Sequence, residues 1–297
     1  MVWFGLVRKY LSPFLLRHLW PRESSIGNKM DPNLEIFLLC AILGSVVGVL
    51  AGLLGIGGGL IIVPALVFLL HYFLQLDIEV SMPIAIATSL STVIMTGLSS
   101  ARSHYKFGNL DKQIVMFCGF GIAIGATLGA QFASHISGVL LQRIFSVLVI
   151  LIALQMVFGG RNTSLNSIGE TGLGSIGIGS GFIAALMGIG GGALIVPALV
   201  WFQVNIRKAI GCAAFCGIVI AVFGTINFVI TGWKNPNLPD LSIGYVYLPA
   251  TFGIIATSVL TAPIGAKLGQ KLDTAKLKKV FAAFLVLVSI RMIIGIE

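Results

Sequence analysis

Residues 51–67 read AGLLGIGGGLIIVPALV, and residues 184–200 read AALMGIGGGALIVPALV. Thirteen of the seventeen positions are identical at a constant offset of 133. A second pair follows in each half, IGATLGAQFA at 124–133 and LTAPIGAKLG at 260–269, with Gly129 matching Gly265. Downstream, Phe145 matches Phe281 and Met156 matches Met292. The chain therefore reads as a duplication: a basic N-terminal segment over 1–33, a first repeat over 34–160, a polar linker over 161–171 and a second repeat over 172–297.

The surroundings of these runs place them in lipid. The chain has 297 residues, 57% hydrophobic and 10% charged, with a mean hydropathy of +1.03. A soluble domain carries about 25% charged residues, so too few charges exist to cover a soluble surface. The apolar residues form ten continuous blocks between 36 and 296, about five in each repeat. Several approach the roughly 20 residues that span a ~30 Å hydrocarbon layer as helix. Barrel strands would be shorter and alternating. The predicted fold is an all-α polytopic membrane protein of two repeats.

A Gly-Ile-Gly-Gly-Gly run is a poor helix, because each glycine costs about 1 kcal/mol relative to alanine and accepts positive φ. Pro64 and Pro197 fit the first turns of a restarting helix better than its interior. The chain is expected to break at 55–59 and 188–192 and restart as half-helices, with Pro64 and Pro197 marking the break. The segment 193–204, twelve residues or about 18 Å long, is too short to cross. Broken backbone in lipid must line a cavity or pack on protein. Helix N-termini present free N–H groups and a positive dipole end. Gly57, Gly58, Gly59, Gly190, Gly191 and Gly192 are thus candidates for an anion site made of backbone. Close helix packing through small residues is the competing reading.

Loop charge orients the halves. The 102–112 loop carries Arg102, Lys106 and Lys112 against Asp111, whereas 135–143 has Arg143 and His135. In the second half the bias swaps: 233–242 sets Lys234 against Asp240, while 267–279 has five lysines against Asp273. Basic loops stay cytoplasmic, so equivalent loops face opposite sides and the repeats are expected to be inverted. Asp77 and Glu79 then lie outside, Arg207 and Lys208 inside. The basic first 29 residues run against this orientation, since counting back two segments from residue 77 places them outside. That stretch reads as an uncleaved interfacial segment with Trp3, Leu15, Leu16 and Trp20 on its apolar side.

The net charge of +9 is explained by loops and headgroups, and no nucleic-acid partner is expected. Cys40, Cys118, Cys212 and Cys216 all fall in apolar blocks. Cys212 and Cys216, four apart on one helix face, could hold a soft metal, but small-residue packing is the simpler account and no metal is assigned.

These residues resemble the TauE/SafE family of sulfite exporters. The resemblance is carried by two copies of GxGGG-x4-P, Gly55–Pro64 and Gly188–Pro197, by Ala-Thr-Ser-Leu at Ala87–Leu90, and by the glycine-rich helices that follow. It covers about 36–296 and implies multi-pass residence in the bacterial inner membrane and export or uptake of sulfite, organosulfonates or related small sulfur-containing or carboxylate anions. Where the first half has Thr88-Ser89 the second has Cys212-Ala213, which removes two hydroxyls.

Thr88, Ser89, Thr92 and Thr96 could donate hydrogen bonds to an oxyanion or bond back to their own helix, and both readings stay open. Asn227 is a further candidate, because a buried amide needs partners. His71 and Arg291 lie within apolar blocks, and Arg291, near the chain end, is expected to snorkel. No carboxylate falls at the centre of an apolar block, no G-x-x-x-x-G-K-[ST] motif occurs, and no metal motif or nucleophile with a base is present. The expectation is a cofactor-free, non-enzymatic secondary transporter of a small anion, driven by the anion gradient, the membrane potential or the substrate's own proton. An anion channel or non-transporting membrane subunit is the alternative. The bilayer and the anion are the expected partners, and assembly as a homodimer is left open.

Overall fold

The computed structural model describes residues 31–54, 57–158, 169–271 and 274–294. The N-terminal segment, Gly55, most of the linker and the side chains of 270–281 lie outside the described residues. The first repeat gives α1 (Pro32–Leu54), α2 (Gly59–Leu74), α3 (Ile78–Lys106), α4 (Lys112–His135) and α5 (Gly138–Phe158). The second gives α6 (Glu170–Met187), α7 (Gly192–Trp201) and α8 (Ile206–Gly232). A two-residue hairpin, β1 (Ser242–Ile243) and β2 (Val246–Tyr247), then precedes α9 (Leu248–Lys271) and α10 (Thr274–Ile294). Among the described residues seven helices, α1, α3, α4, α5, α6, α8 and α9, are long and apolar enough to cross a membrane.

The half-helices form as expected. α2 has sixteen residues and α7 ten, about 24 Å and 15 Å at helical rise, both short of the ~30 Å core. Each starts at a left-handed glycine, Gly58 (φ 81°) for α2 and Gly191 (φ 75°) for α7, and α6 ends at left-handed Gly188 (φ 70°). The prolines do not mark the breaks. Pro64 and Pro197 lie in the second turn, inside α2 and α7, and glycine conformation alone makes the break.

Small residues let the long helices approach to backbone contact. On α1, Gly44, Gly48 and Gly52 recur every four residues and face Ile254, Ser258 and Ala262 of α9 in turn. On α4, Gly121, Gly125 and Gly129 face Gly174, Ile178 and Phe182 of α6. A Cβ at Gly52 would sit 1.9 Å from the Ala262 carbonyl oxygen, so these faces admit no side chain. In lipid, such contact supplies the dispersion energy that a hydrophobic effect between helices cannot.

The ascending order of each pair fixes helix sense. α1 runs parallel to α9, and α6 runs parallel to α4. α3 also runs with α9: Thr88 accepts the Tyr247 N–H, Ser91 meets Thr251 and Thr96 meets Ser258. α3 and α8 oppose each other, with Leu90 against Gly224 and Gly97 against Ile218. α4 starts beside the start of α8, where Asp111 meets both Cys212 and Lys208. The start of α5 meets the start of α3 through Glu79 and Gly138, and meets the end of α10 through Gln142 and Met292. So α1, α3, α5 and α9 run one way, and α4, α6, α8 and α10 the other. One end of the bundle gathers Arg102, Lys106, Lys112, Arg207, Lys208 and Lys267 against Asp111 and Glu170; the other holds Asp77, Glu79 and Asp240 with Arg143 and Lys234.

Candidate functional site

The two glycine breaks meet in the interior. A Cβ on Gly57 would lie 2.7 Å from Gly190 Cα, and one on Gly59 would lie 2.1 Å from the Gly188 carbonyl oxygen. α2 leaves this meeting point toward one end of the bundle and α7 toward the other, so their N-termini abut. The helix restarts are fixed locally, with Ile62 N–H donating to Gly58 and Ile195 N–H to Gly191.

Beside the contact lies a small cavity of about 10 Å³, the volume of one water. Ala51, Gly57, Val93, Thr96, Gly97 and Ser100 line it from the first half, and Gly190, Ala214 and Gly217 from the second. No ionised side chain lines it. The cavity has an internal correspondence: Gly57 touches Val93 in the first half, as Gly190 touches Gly217 in the second.

Of the residues expected at a site, Gly57 and Gly190 line the cavity. Gly58 and Gly191 cap the restarted helices, and Gly59 and Gly192 are their first residues. The hydroxyls divide by partner. Ser89 Oγ donates to the Gly188 carbonyl at 2.8 Å, so a side chain of the first half holds the break of the second. Thr88 Oγ1 accepts the Tyr247 N–H at 3.0 Å, seating β2 against α3. Thr92 Oγ1 bonds back to the Ser89 carbonyl at 2.7 Å. Thr96, lining the cavity, shares its hydroxyl with Ser258 at 2.7 Å. Asn227 is half-buried and outside the cavity lining, where its carbonyl accepts the Thr231 hydroxyl. All four cysteines are buried free thiols.

Ser100 and His104 are the residues the sequence reading missed. Both are buried, and Ser100 Oγ and His104 Nδ1 have no hydrogen-bond partner among the described residues. His104 Nε2 lies 3.3 Å from the Gly52 carbonyl oxygen, and its ring meets Phe107 edge-on. The signal was available: Ser89, Thr92, Thr96, Ser100 and His104 continue one polar stripe along α3 at three- and four-residue steps.

The Ser89 bond carries a measurable expectation. Ser89→Ala leaves the buried Gly188 carbonyl with one partner fewer, at a cost of about 1–3 kcal/mol. Thr92→Val removes only a bond to its own helix and should cost less. Melting of the detergent-purified variants should rank Ser89→Ala below Thr92→Val, and the reverse order would remove Ser89 from the break.

Residues 40–292 match the family described as Sulfite exporter TauE/SafE. The chain belongs to that family. It is 40% identical over 257 residues to a probable membrane transporter protein of Haemophilus influenzae, covering 86% of this chain and 97% of that one. It is 27% identical over 278 residues to the probable membrane transporter protein YunE of Bacillus subtilis, with 86% and 97% coverage. A further probable membrane transporter protein, from Methanocaldococcus jannaschii, is 25% identical over 250 residues, covering 83% and 91%. No solved structure matches the chain. The TauE/SafE chain is thus a multi-pass membrane transporter of the inner membrane, and its glycine breaks lie within the span matched to the family.

Proposed function

We propose that this transporter carries a small anion, such as sulfite, an organosulfonate or a related sulfur-containing anion, past the contact between Gly57 and Gly190. The observation that carries this reading is the abutting of two half-helix N-termini at an interior cavity with no charged lining. The positive dipole ends of the two helices favour an anion there. The sulfur-anion class comes from the family, described as sulfite exporters, and export is the direction that description supports.

The two halves are read as inverted repeats. α1 and α6 run in opposite senses, as do α3 and α8, and α4 and α9. With the basic end cytoplasmic, α2 and α7 approach the midplane from opposite faces, an arrangement that suits alternating access around a central site. A cavity of about 10 Å³ admits only a water, so the contact is too narrow for the anion here and the anion passes when the halves shift. No Asp or Glu is buried among the described residues, which favours transport down the anion gradient and potential over a carboxylate relay.

The test is counterflow in liposomes with sulfite, thiosulfate, taurine and small carboxylates. A carrier gives saturable uptake of labelled sulfite or sulfonate that is accelerated by the same anion inside. Flux without saturation or trans-acceleration means a channel, and no flux for any member of the panel overturns the substrate class.

A further inference from the structure

At the basic end of the bundle a cavity of about 650 Å³ opens between α3 and α9. Its lining changes character along α3. Met95 and Leu98, each about half exposed, form an apolar wall with Pro263, and Arg102 and Lys106 follow one and two turns later, with Lys267 opposite on α9. The hydroxyls in the cleft are already committed: Ser99 donates to the Val259 carbonyl and Ser103 to the Ser99 carbonyl. No carboxylate lines it. Lys208 pairs with Asp111 at 3.9 Å, outside this lining. Three like charges therefore share one cleft, and no carboxylate among the described residues pairs with them.

The repeat shows that these cations are not an inheritance of the fold. Counting from the matched pairs Thr88-Ser89 and Cys212-Ala213, the counterparts of Arg102 and Lys106 on α8 are Ile226 and Ile230. Counting from Gly129 and Gly265, the counterpart of Lys267 on α4 is Gln131. The equivalent positions at the other end carry no charge. An apolar wall open to the side, leading into a cluster of unpaired cations at the helix ends, matches the chemistry of one ligand class.

We propose that this cleft binds an anionic phospholipid, its headgroup phosphate held by Arg102, Lys106 and Lys267 and an acyl chain lying along Met95, Leu98 and Pro263. Long basic side chains at helix ends reach the headgroup layer, and three converging on one cleft select for negative charge. The site does not depend on which anion the transporter carries.

The experiment uses the full chain in phosphatidylcholine nanodiscs doped with phosphatidylglycerol, reading lipid retained in native mass spectrometry and the melting midpoint. Wild type should retain phosphatidylglycerol and melt higher with it. Each cation removed should weaken retention about fivefold, so Arg102→Gln/Lys106→Gln/Lys267→Gln should lose both effects. Lys112→Gln/Arg207→Gln, at the same end but outside the cleft, should keep them. Equal retention by the triple variant, or equal loss in the control variant, overturns the site. Inorganic phosphate, added at matched ionic strength, should leave the midpoint unchanged, and any shift with sulfite, which belongs to the transport site, should be the same in wild type and the triple variant. A shift with either that vanishes in the triple variant would make the cleft a soluble-anion site and overturn the lipid assignment.

Discussion

Gly57→Val abolishes transport, the largest effect expected from any single change in this chain. Gly57 has φ 77°, and its missing Cβ faces the Gly190 backbone at 2.7 Å and 3.0 Å. Left-handed backbone costs a side-chain-bearing residue about 1–2 kcal/mol, and a β-branched one more. The clash is the larger obstacle, because the neighbour is main chain and cannot rotate away. Loss of flux alone does not separate a transport site from a packing contact, since both readings expect damage. Gly57→Ala does. Wild-type protein should be stabilised by the bound anion by RT ln(1 + [L]/Kd), about 2.7 kcal/mol at a hundredfold excess over Kd. The alanine Cβ meets the same Gly190 backbone at 2.7 Å, so its melting falls under either reading, but only under the site reading does it also lose the sulfite-induced shift. A variant that melts far lower yet keeps the full shift makes Gly57 a packing residue, and the anion site then lies elsewhere.

Much of this arrangement was legible before any coordinates. Two identical glycine runs at matched positions, the second followed by a stretch too short to cross, signal paired half-helices because glycine is costly in helices wherever it occurs. Parts of the site were not legible, and for stated reasons. Whether Ser89 bonds a substrate, its own helix or a distant carbonyl depends on Gly188, ninety-nine residues away. Thr88 and Thr96 likewise find partners in the second half, at separations of 159 and 162 residues. Periodicity places such hydroxyls on a face but says nothing of what meets that face. His104 was passed over because residues 102–112 read as a charged loop, whereas α3 continues through Lys106. Asn227 was chosen on the premise that an amide in an apolar block is buried, but α8 leaves it only half-buried. Pro64 and Pro197 were misassigned because their spacing from the glycines puts them in the second turn, inside the restarted helix.

Cysteine labelling should divide the loops into two sets with no overlap. All four native cysteines are buried, so they give little background with a membrane-impermeant maleimide. Lys106, Ser137, Lys234 and Lys267 are exposed positions near helix ends. Lys106 and Lys234 belong to equivalent connections of the two halves, α3 to α4 and α8 to α9. In a parallel duplication they share a side; in an inverted one they do not. The helix senses place 106 with 267 at the basic end and 137 with 234 at the other, and the excess of lysine and arginine assigns the basic end to the cytoplasm. In intact cells Ser137→Cys and Lys234→Cys should therefore label nearly completely, while Lys106→Cys and Lys267→Cys label only after permeabilisation. The contrast should be close to all-or-none, because a multi-pass bundle with several like-charged loops on one side does not readily reverse. Labelling of 106 and 234 from the same side would mean parallel halves and would remove the opposed entry of α2 and α7 on which the anion site depends. Inverted labelling with every side exchanged would keep the halves opposed but turn the basic cleft between α3 and α9 to the outer leaflet.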